Sequence, residues 1–287
     1  MESELINLPL LEEEYALSSD QLTQFREDGF LKAANVFDAK TLAYFEPEIT
    51  RLTVANNQLD GIPMQERDTY SKAFIQVGNL WEKSKEVRRL TFSRRLAAMA
   101  TALLGSIGVR LWHDQSLYKE QSGKEQSGGF TPWHADQQYW PMASNLTVTA
   151  WIPLHAVPLE QGPLSFGRGS HRKRIGRDLP ISDSSETLIQ KEIQDQGVVE
   201  VTKPYELGDV SFHLGWTLHR AGPNSTPLPR KVHTVIYMDC DMRLAAPSNP
   251  NQTLDHEKWT PSTLVGDIMD DPLNPVLFRT ESAATKF

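Results

Sequence analysis

The sequence has little cysteine, no long apolar segment and no signal-peptide pattern. Its single cysteine, Cys240, excludes a disulfide within the chain, so the fold does not depend on an oxidising compartment. No apolar run approaches the roughly 20 residues that a membrane-spanning helix needs. The N-terminus lacks the basic and apolar regions of a signal peptide. These absences predict a soluble, cytoplasmic protein in which Cys240 is a small core residue.

An excess of positive charge is also missing. The 287 residues have a formal net charge of −8, whereas a nucleic-acid-binding surface needs clustered lysine and arginine. The densest basic stretch, residues 168–177, is short and reads RGSHRKRIGR. It is either a solvated loop or a basic rim that attracts an acidic small substrate. We therefore expect small-molecule partners and neither nucleic acid nor membrane, while the oligomeric state stays open.

The N-terminal part of the chain has helical periodicity. Ser18 and Gln21 form a capping-box pattern before a short apolar stripe, and Gly29 supplies a stop. Asp38 is a suitable N-cap for a second helix that runs to about Ala55. Two further segments are predicted as a long loop and a helix, at residues 56–83 and 84–104.

From residue 108 the apolar residues alternate with a period near two, which is typical of strands. Helices followed by many short strands predict a mainly β fold: a double-stranded β-helix, or jelly roll, with helical cover. The strand candidates are VRLWHDQSLY, LTVTAWIPL, PLSF, VVEVT, DVSFHL and KVHTVIYMD. The expected organisation is one domain over 1–287, with an arm at 1–17, helical cover at 18–105, a jelly-roll core at 106–240 and a wrapping segment at 241–287.

The sharpest local feature is TPWHADQQYW, residues 131–140. In a strand, residues two apart point to the same face, so His134 and Asp136 can reach one point in space. An imidazole and a carboxylate suit a divalent metal ion. The pair alone is weak, because a surface His–Asp pair often occurs by chance, but here aromatic residues and prolines surround it.

A second feature, HLGWTLHRAGPNSTPLPRKVHTVIYM, offers His213, His219 and His233 as candidates for a third ligand. Arg230 enters an apolar strand, where a guanidinium must be paired with an anion. With His219 as the ligand, the metal and Arg230 lie at adjacent strand ends. A bound 2-oxoglutarate would bridge that span, chelating the metal and placing its distal carboxylate on the arginine. His213 and His233 are interpreted as core or loop histidines.

Two histidines and one carboxylate beside open positions are typical of non-haem Fe(II) oxygenases. At this point the sequence resembles the phytanoyl-CoA dioxygenase family, over roughly residues 18–275. The likeness is carried by four segments: QLTQFREDGFLKAANVFD, LWHDQSLYKEQSGKEQSGGFTPWHADQQYWP, GPLSFGRGSHR and GWTLHRAGPNSTPLPRK. The second of these segments contains an insertion around Lys124 and Glu125.

The resemblance implies a jelly roll that uses Fe(II), 2-oxoglutarate and O₂. It implies that His134, Asp136 and His219 are the catalytic iron ligands. By position, Arg230 resembles the 2-oxoglutarate clamp, and two further cosubstrate-pocket residues are implied, namely Trp151 and Gln115. Ala135 stands where the family often has glutamine, which removes one possible polar contact.

The implied reaction is oxidation of a small molecule, most simply hydroxylation, in secondary metabolism. Related halogenating enzymes replace the iron-binding carboxylate with a small residue, so Asp136 argues against halogenation. Two alternatives stay open: a zinc hydrolase with Glu160 or Asp114 as base, and a non-catalytic family member that binds a small molecule. The substrate's identity does not follow from the sequence, although a free small molecule is favoured over a coenzyme A thioester. The mouth of the pocket is expected to involve Trp112, Trp140, the loop at residues 56–83 and the C-terminal segment near Trp259.

Overall fold

The computed structural model describes residues 7–120 and 129–280, so the insertion around Lys124 and Glu125 lies outside the described residues, as does the start of the predicted arm. Helices precede most of the strands, as the sequence predicts. The helices are α1 Ser19–Asp28, α2 Ala39–Ala55, α3 Thr69–Ala73, α4 Leu80–Lys83, α5 Lys85–Thr91, α6 Arg94–Leu104, α7 Asp183–Asp195 and α8 Pro250–Trp259.

The strands form two facing antiparallel sheets, and the jelly-roll prediction is confirmed. Within the described residues the larger sheet has the order β1-β8-β5-β10-β3-β11, with β2 also paired to β3, and the smaller sheet has the order β4-β9-β6-β7. The strands are β1 Phe30–Ala33, β2 Ile75–Gly78, β3 Gly108–Lys119, β4 Thr131–His134, β5 Thr147–Pro153, β6 Leu164–Gly167, β7 Glu200–Thr202, β8 Val210–Leu214, β9 His219–Ala221, β10 Arg230–Asp239 and β11 Val276–Arg279.

The first two helices begin and end where their capping residues predict. Ser18 and Gln21 form a reciprocal capping box, and Gly29 ends α1 in the left-handed conformation at φ +83°. The carboxylate of Asp38 accepts the backbone N–H of Thr41 at 2.7 Å and so caps α2. These helices are locally encoded, which is why a single sequence suffices to place them.

Strand β5 explains how the helices, the sheet and the cavity are layered. Val148, Ala150 and Ile152 point toward the helical cover and belong to the main apolar core. Thr149 and Trp151 point the other way and line a cavity between the sheets. Every residue of β5 is therefore buried, although the sequence alternates between apolar and polar residues.

The segment predicted as a long loop contains more structure than expected. Residues 56–83 include α3, β2, α4 and a 3-10 turn, and the segment predicted as one helix at 84–104 is split into α5 and α6. Short elements of four or five residues leave little periodicity to detect. Among the described residues, no helix is both long enough and apolar enough to cross a membrane.

Candidate active site

Three sequence-predicted ligands converge at the open end of the small sheet. His134 ends β4 and His219 begins β9, and the two residues pair directly across these antiparallel strands. Asp136 follows in a 3-10 turn. The ligand atoms of all three residues lie within 4.8 Å of one another. The nearer oxygen of Asp136, Oδ1, lies 3.7 Å from His134 Nε2 and 3.6 Å from His219 Nε2.

Both histidines are oriented for metal binding. Nδ1 of His134 lies 2.8 Å from the carbonyl oxygen of Pro132, and Nδ1 of His219 lies 3.0 Å from that of Thr217. Each Nδ1–H therefore donates to the backbone, which leaves the lone pair of Nε2 free to coordinate a metal ion. Burial lowers the pKa of each imidazole to about 4, so both rings are neutral at ordinary pH.

The carboxylate of Asp136 is held by its second oxygen. Oδ2 accepts the hydroxyl of Thr149 at 3.1 Å and lies 3.2 Å from Nε2 of His213. Burial alone would raise the pKa of Asp136, but His219 and His213 outweigh it and hold the pKa far below its usual range. His213 is buried, as its interpretation as a core residue implies, but it also positions a candidate ligand. No pattern in the sequence indicates that contact.

Arg230 lies deeper in the cavity, at the start of β10. Its side chain is 1% exposed, and its guanidinium donates to the carbonyl oxygen of Gly162. The guanidinium carbon lies 5.3 Å from the ring centroid of Trp151, and Nε has no hydrogen-bond partner among the described residues. Burial lowers the pKa of Arg230 to about 10, so the group stays charged near neutrality. A buried cation with spare donors fits an anionic ligand.

Lys119 is a further candidate residue that sequence reasoning missed. It pairs with Arg230 across β3 and β10, is fully buried, and donates to the carbonyl oxygen of Gly129. Burial, and then the charge of Arg230, push the pKa of Lys119 well below its usual range. Its place at the polar end of an apolar strand was the available signal. Lys119 does not itself line the cavity, so it is placed behind Arg230, where it adds a second buried basic group that has no ion pair within the described chain.

Trp151 and Gln115, for which the resemblance implies a role in the cosubstrate pocket, both line the cavity. Trp151 is buried beside Arg230, and its indole N–H has no partner among the described residues. The side chain of Gln115 accepts a hydrogen bond from Gln76, which in turn accepts one from Tyr70. This chain of hydrogen bonds runs toward the cavity mouth, so in this structure Gln115 is directed to the outer part of the cavity.

The cavity has a volume of about 570 Å³ and is lined by residues of both sheets, α3 and α8. Trp140, Trp259 and residues 57–78 contribute to it, as the sequence predicts for the mouth. Trp112 does not, and that prediction is wrong: its side chain is fully buried in an apolar cluster behind the cavity. The volume is within the range of small-molecule sites.

The two bases suggested for a hydrolase lie elsewhere. Asp114 is fully buried on the helical side of β3, where its carboxylate accepts the N–H groups of Leu80 and Trp81 at 2.7 and 3.1 Å. Glu160 is exposed in a 3-10 turn. Neither residue lines the cavity. Neither of the two bases suggested for a hydrolase therefore lies beside the candidate metal site.

The basic stretch at residues 168–177 has local partners. Arg168 lies 3.4 Å from Asp28, and Arg172 donates to the carbonyl oxygen of Glu27. Arg177 stacks over Trp216 with its guanidinium carbon 4.4 Å from the ring centroid. None of these arginines lines the cavity. The interpretation as a solvated loop accounts for them without an acidic substrate.

The jelly roll and its two-histidine, one-carboxylate cluster define the class as the non-haem iron oxygenases. A family model described as phytanoyl-CoA dioxygenase (PhyH) matches residues 25–232. The chain belongs to this family, and the resemblance stated from its sequence motifs is confirmed.

Individual relatives are more distant. The ectoine dioxygenase of Bordetella bronchiseptica is 26% identical over 256 residues, covering 81% of this chain and 79% of that protein. A crystal structure of the epimerase SnoN in complex with Fe3+, alpha ketoglutarate and nogalamycin RO is 27% identical, with a TM-score of 0.73, and covers 90% of this chain and 98% of that one. The carbocyclase SnoK, at 24% identity and a TM-score of 0.73 over 91% and 97% of the two chains, shares the fold.

Proposed function

We propose that this chain binds Fe(II) through His134, Asp136 and His219, binds 2-oxoglutarate at Arg230 with Lys119 buried beside that arginine, and hydroxylates a small molecule. The chain is an Fe(II)- and 2-oxoglutarate-dependent dioxygenase, in keeping with its family and with the iron and alpha ketoglutarate in the SnoN complex. Natural-product metabolism is the proposed setting, since SnoN comes from nogalamycin biosynthesis.

One observation carries the proposal: a neutral two-histidine, one-carboxylate cluster opens into the same cavity as a buried arginine. A metal-binding cluster alone would also suit a hydrolase. A buried cation that lines the same cavity is explained by an anionic cosubstrate that reaches from the metal to the arginine. Trp151 follows Thr149 by two residues on β5, which pairs with the strand that carries Arg230, and the ring centroid of Trp151 lies 5.3 Å from the guanidinium carbon.

The donor set fits Fe(II). Two imidazole nitrogens and one carboxylate oxygen are the ligands of the facial triad that leaves positions open for other ligands. With iron and 2-oxoglutarate bound, the site activates O₂, inserts one oxygen atom into a substrate C–H bond and releases succinate and CO₂. The protein's own contribution is to bind and orient, which Pro132, Thr217 and Thr149 do for the three ligands through their hydrogen bonds.

Water exclusion is the second contribution of the chain. The inner part of the cavity is closed by Trp151, Leu164 and Ala221, each of which is buried. A low-dielectric wall strengthens the attraction between the cations and a carboxylate, and it protects reactive species from solvent. Oxidation is therefore confined to a substrate bound in the outer part of the cavity.

The test is an anaerobic titration of the metal-free protein with Fe(II) and then 2-oxoglutarate, followed by visible absorption. We expect a metal-to-ligand charge-transfer band that appears only when both are present and that weakens in Arg230→Ala at a fixed 2-oxoglutarate concentration. Folded protein that binds metal but never develops the band would overturn the proposal. Arg243→Ala, a surface arginine that donates to the carbonyl of Gly266, is a matched control expected to keep the band.

A further inference from the structure

The outer wall of the cavity is built around the indole of Trp259 at the end of α8. The ring of His113 stacks on it, with centroids 4.4 Å apart and planes inclined by 20°. Gly78 of β2 lies against its edge so closely that an added Cβ would come within 2.5 Å of Cη2. The indole is 7% exposed. Trp259 is thus a fixed aromatic surface at the outer end of the cavity.

A β-bulge brings His113 to this surface. In the pairing of β3 with β10, His113 lies opposite Ile236 and Leu111 lies opposite Tyr237, which leaves Trp112 as an extra residue. In a regular strand without the bulge, residues 111 and 113 would point to the same side, and His113 would face the helices as Leu111 does. Bulges commonly re-aim side chains beside functional sites. This bulge places the imidazole of His113 in the wall of the cavity.

The imidazole of His113 is buried, but its Nδ1 has no hydrogen-bond partner among the described residues. The ring also lines the cavity, so a ligand there has an imidazole to hydrogen-bond with, and leaving buried polar atoms unpaired costs roughly 1–3 kcal/mol. Burial also lowers the pKa of His113 to about 3, and the neutral ring then offers one donor and one acceptor.

Asp255 adds a carboxylate to the same wall, one helical turn before Trp259. It lines the cavity with the indole of Trp259, while Lys258 is a nearby charge. An ionised carboxylate accepts several hydrogen bonds. The amino-acid side chains of this wall therefore combine a flat apolar surface with hydrogen-bonding atoms at its face and its edge.

We propose, on the basis of the proposed function, that His113, Asp255 and Trp259 recognise the substrate as a compact ring that carries hydroxyl or amine groups. The ring lies against the cavity side of the wall, and its polar hydrogens bond to Asp255 and to His113. A long aliphatic chain would leave both polar groups unpaired in a cavity from which its bulk excludes water. A cavity of about 570 Å³ that also holds 2-oxoglutarate favours a compact molecule.

The experiment uses three probes of similar shape: benzylammonium, benzyl alcohol and benzyl methyl ether, which has no donor. Their dissociation constants are measured by calorimetry on the full chain, both metal-free and as the anaerobic Fe(II)·2-oxoglutarate complex. We expect the alcohol and the ammonium to bind about five-fold or more tightly than the ether. His113→Phe, which keeps the ring stacked, and Asp255→Leu should each reduce that preference, whereas His113→Gln and Asp255→Asn should keep part of it.

Glu257→Leu, an exposed position on the same helix, is the matched control and should leave the preference unchanged. The proposal is overturned if the ether binds as tightly as the alcohol, or if the preference survives both His113→Phe and Asp255→Leu. Failure of the oxygenase assignment looks different, because the charge-transfer band would then be missing in the unsubstituted protein whatever the probes do.

Discussion

The two ends of the cavity are built on opposite electrostatic principles. At the inner end two buried basic side chains, Arg230 and Lys119, lie side by side on paired strands, and Arg230 lines the cavity. At the outer end the carboxylate of Asp255 lies among aromatic side chains, including Tyr70 and Trp259. The candidate iron ligands lie between them. The inner end suits one fixed dianion held by charge, whereas the outer end suits a ligand selected by shape and by hydrogen bonds.

This contrast assigns different tasks to the ends. Charge in a dry site gives strong attraction but discriminates poorly among anions of similar size. Polar atoms placed around a flat apolar surface discriminate better, because a mismatched ligand leaves them unpaired. Enzymes that share a cosubstrate but differ in substrate can therefore keep the inner end and vary the outer one. Substitutions at the two ends should separate these tasks.

The largest loss of activity is expected from substitutions of the candidate iron ligands, which lie between the two ends of the cavity. His134→Ala, Asp136→Ala or His219→Ala should abolish turnover through loss of iron, because each removes one of only three protein ligands. Metal content after anaerobic loading, measured by mass spectrometry, checks this. The control is His256→Ala. His256 lies on α8, and Nε2 of its ring is 3.0 Å from the carbonyl oxygen of Thr263. Stoichiometric iron in all three variants would refute the ligand set.

The next largest effect is expected on 2-oxoglutarate binding, and it distinguishes the contributions of Arg230 and Lys119. Arg230→Ala should weaken 2-oxoglutarate binding by about a hundred-fold, since loss of a buried charge partner costs roughly 2–5 kcal/mol. Lys119→Met, which keeps the aliphatic stem, should weaken it by about ten-fold while iron binding survives in both variants. The measurement is the 2-oxoglutarate dependence of the charge-transfer band. Equal affinity in Lys119→Met and the unsubstituted protein would restrict the clamp to Arg230.

A smaller effect concerns pH at the outer end. Burial raises the pKa of Asp255 to about 7 against the opposing influence of Trp259 and Lys258, so its carboxyl group is protonated below that pH and charged above it. Tyr70 and Tyr139 lie nearby, and the pKa of each is raised above its ordinary value, so both phenols remain neutral in this pH range.

Benzylammonium binding should therefore tighten as the pH rises from about 6 to about 8, by at most about ten-fold for one ionising group. Calorimetric titrations across this range measure the change. Asp255→Asn should bind the probe with no such dependence. An unchanged slope in that variant would assign the titration to another group. Binding of 2-oxoglutarate at the inner end should not share this profile.

The smallest effect deforms the outer end alone. Gly78→Ala places a methyl group against the edge of Trp259, which must shift, and overpacking of this kind costs roughly 1–3 kcal/mol of stability. Probe affinities should fall by about three-fold, whereas the charge-transfer band should form as in the unsubstituted protein. Weakened 2-oxoglutarate binding in this variant would show that the two ends are mechanically coupled.

Much of the fold follows from local patterns. Ser18, Gln21, Gly29 and Asp38 determine where the first helices begin and end, and alternation identifies the long strands. The strands that local patterns miss are short: β2, β4, β9 and β11 have three or four residues each. Their positions are determined by pairing with distant strands, which leaves no local periodicity.

The candidate site was predictable where one motif contains the residues. His134 ends β4 and Asp136 follows two residues later in a 3-10 turn, and His219 precedes Arg230 by a single loop. The contacts of His213 with Asp136, and of Lys119 with Arg230, join residues far apart in the chain. The placement of Trp112 was predicted wrongly because the bulge at this position changes which face each following residue occupies. The roles of the ligands themselves remain predictions.

The hydrogen bond from Arg230 to Gly162 has a mechanical consequence. Arg230 belongs to the large sheet, and Gly162 precedes β6 of the small sheet, so this bond fastens the two sheets together at the inner end. An anion held by Arg230 would neutralise the charge at that fastening. At a hundred times its dissociation constant, such a ligand would raise the free energy of unfolding by about 2.7 kcal/mol. The cosubstrate is then expected to stabilise the contact between the two sheets of the jelly roll as well as to take part in the reaction.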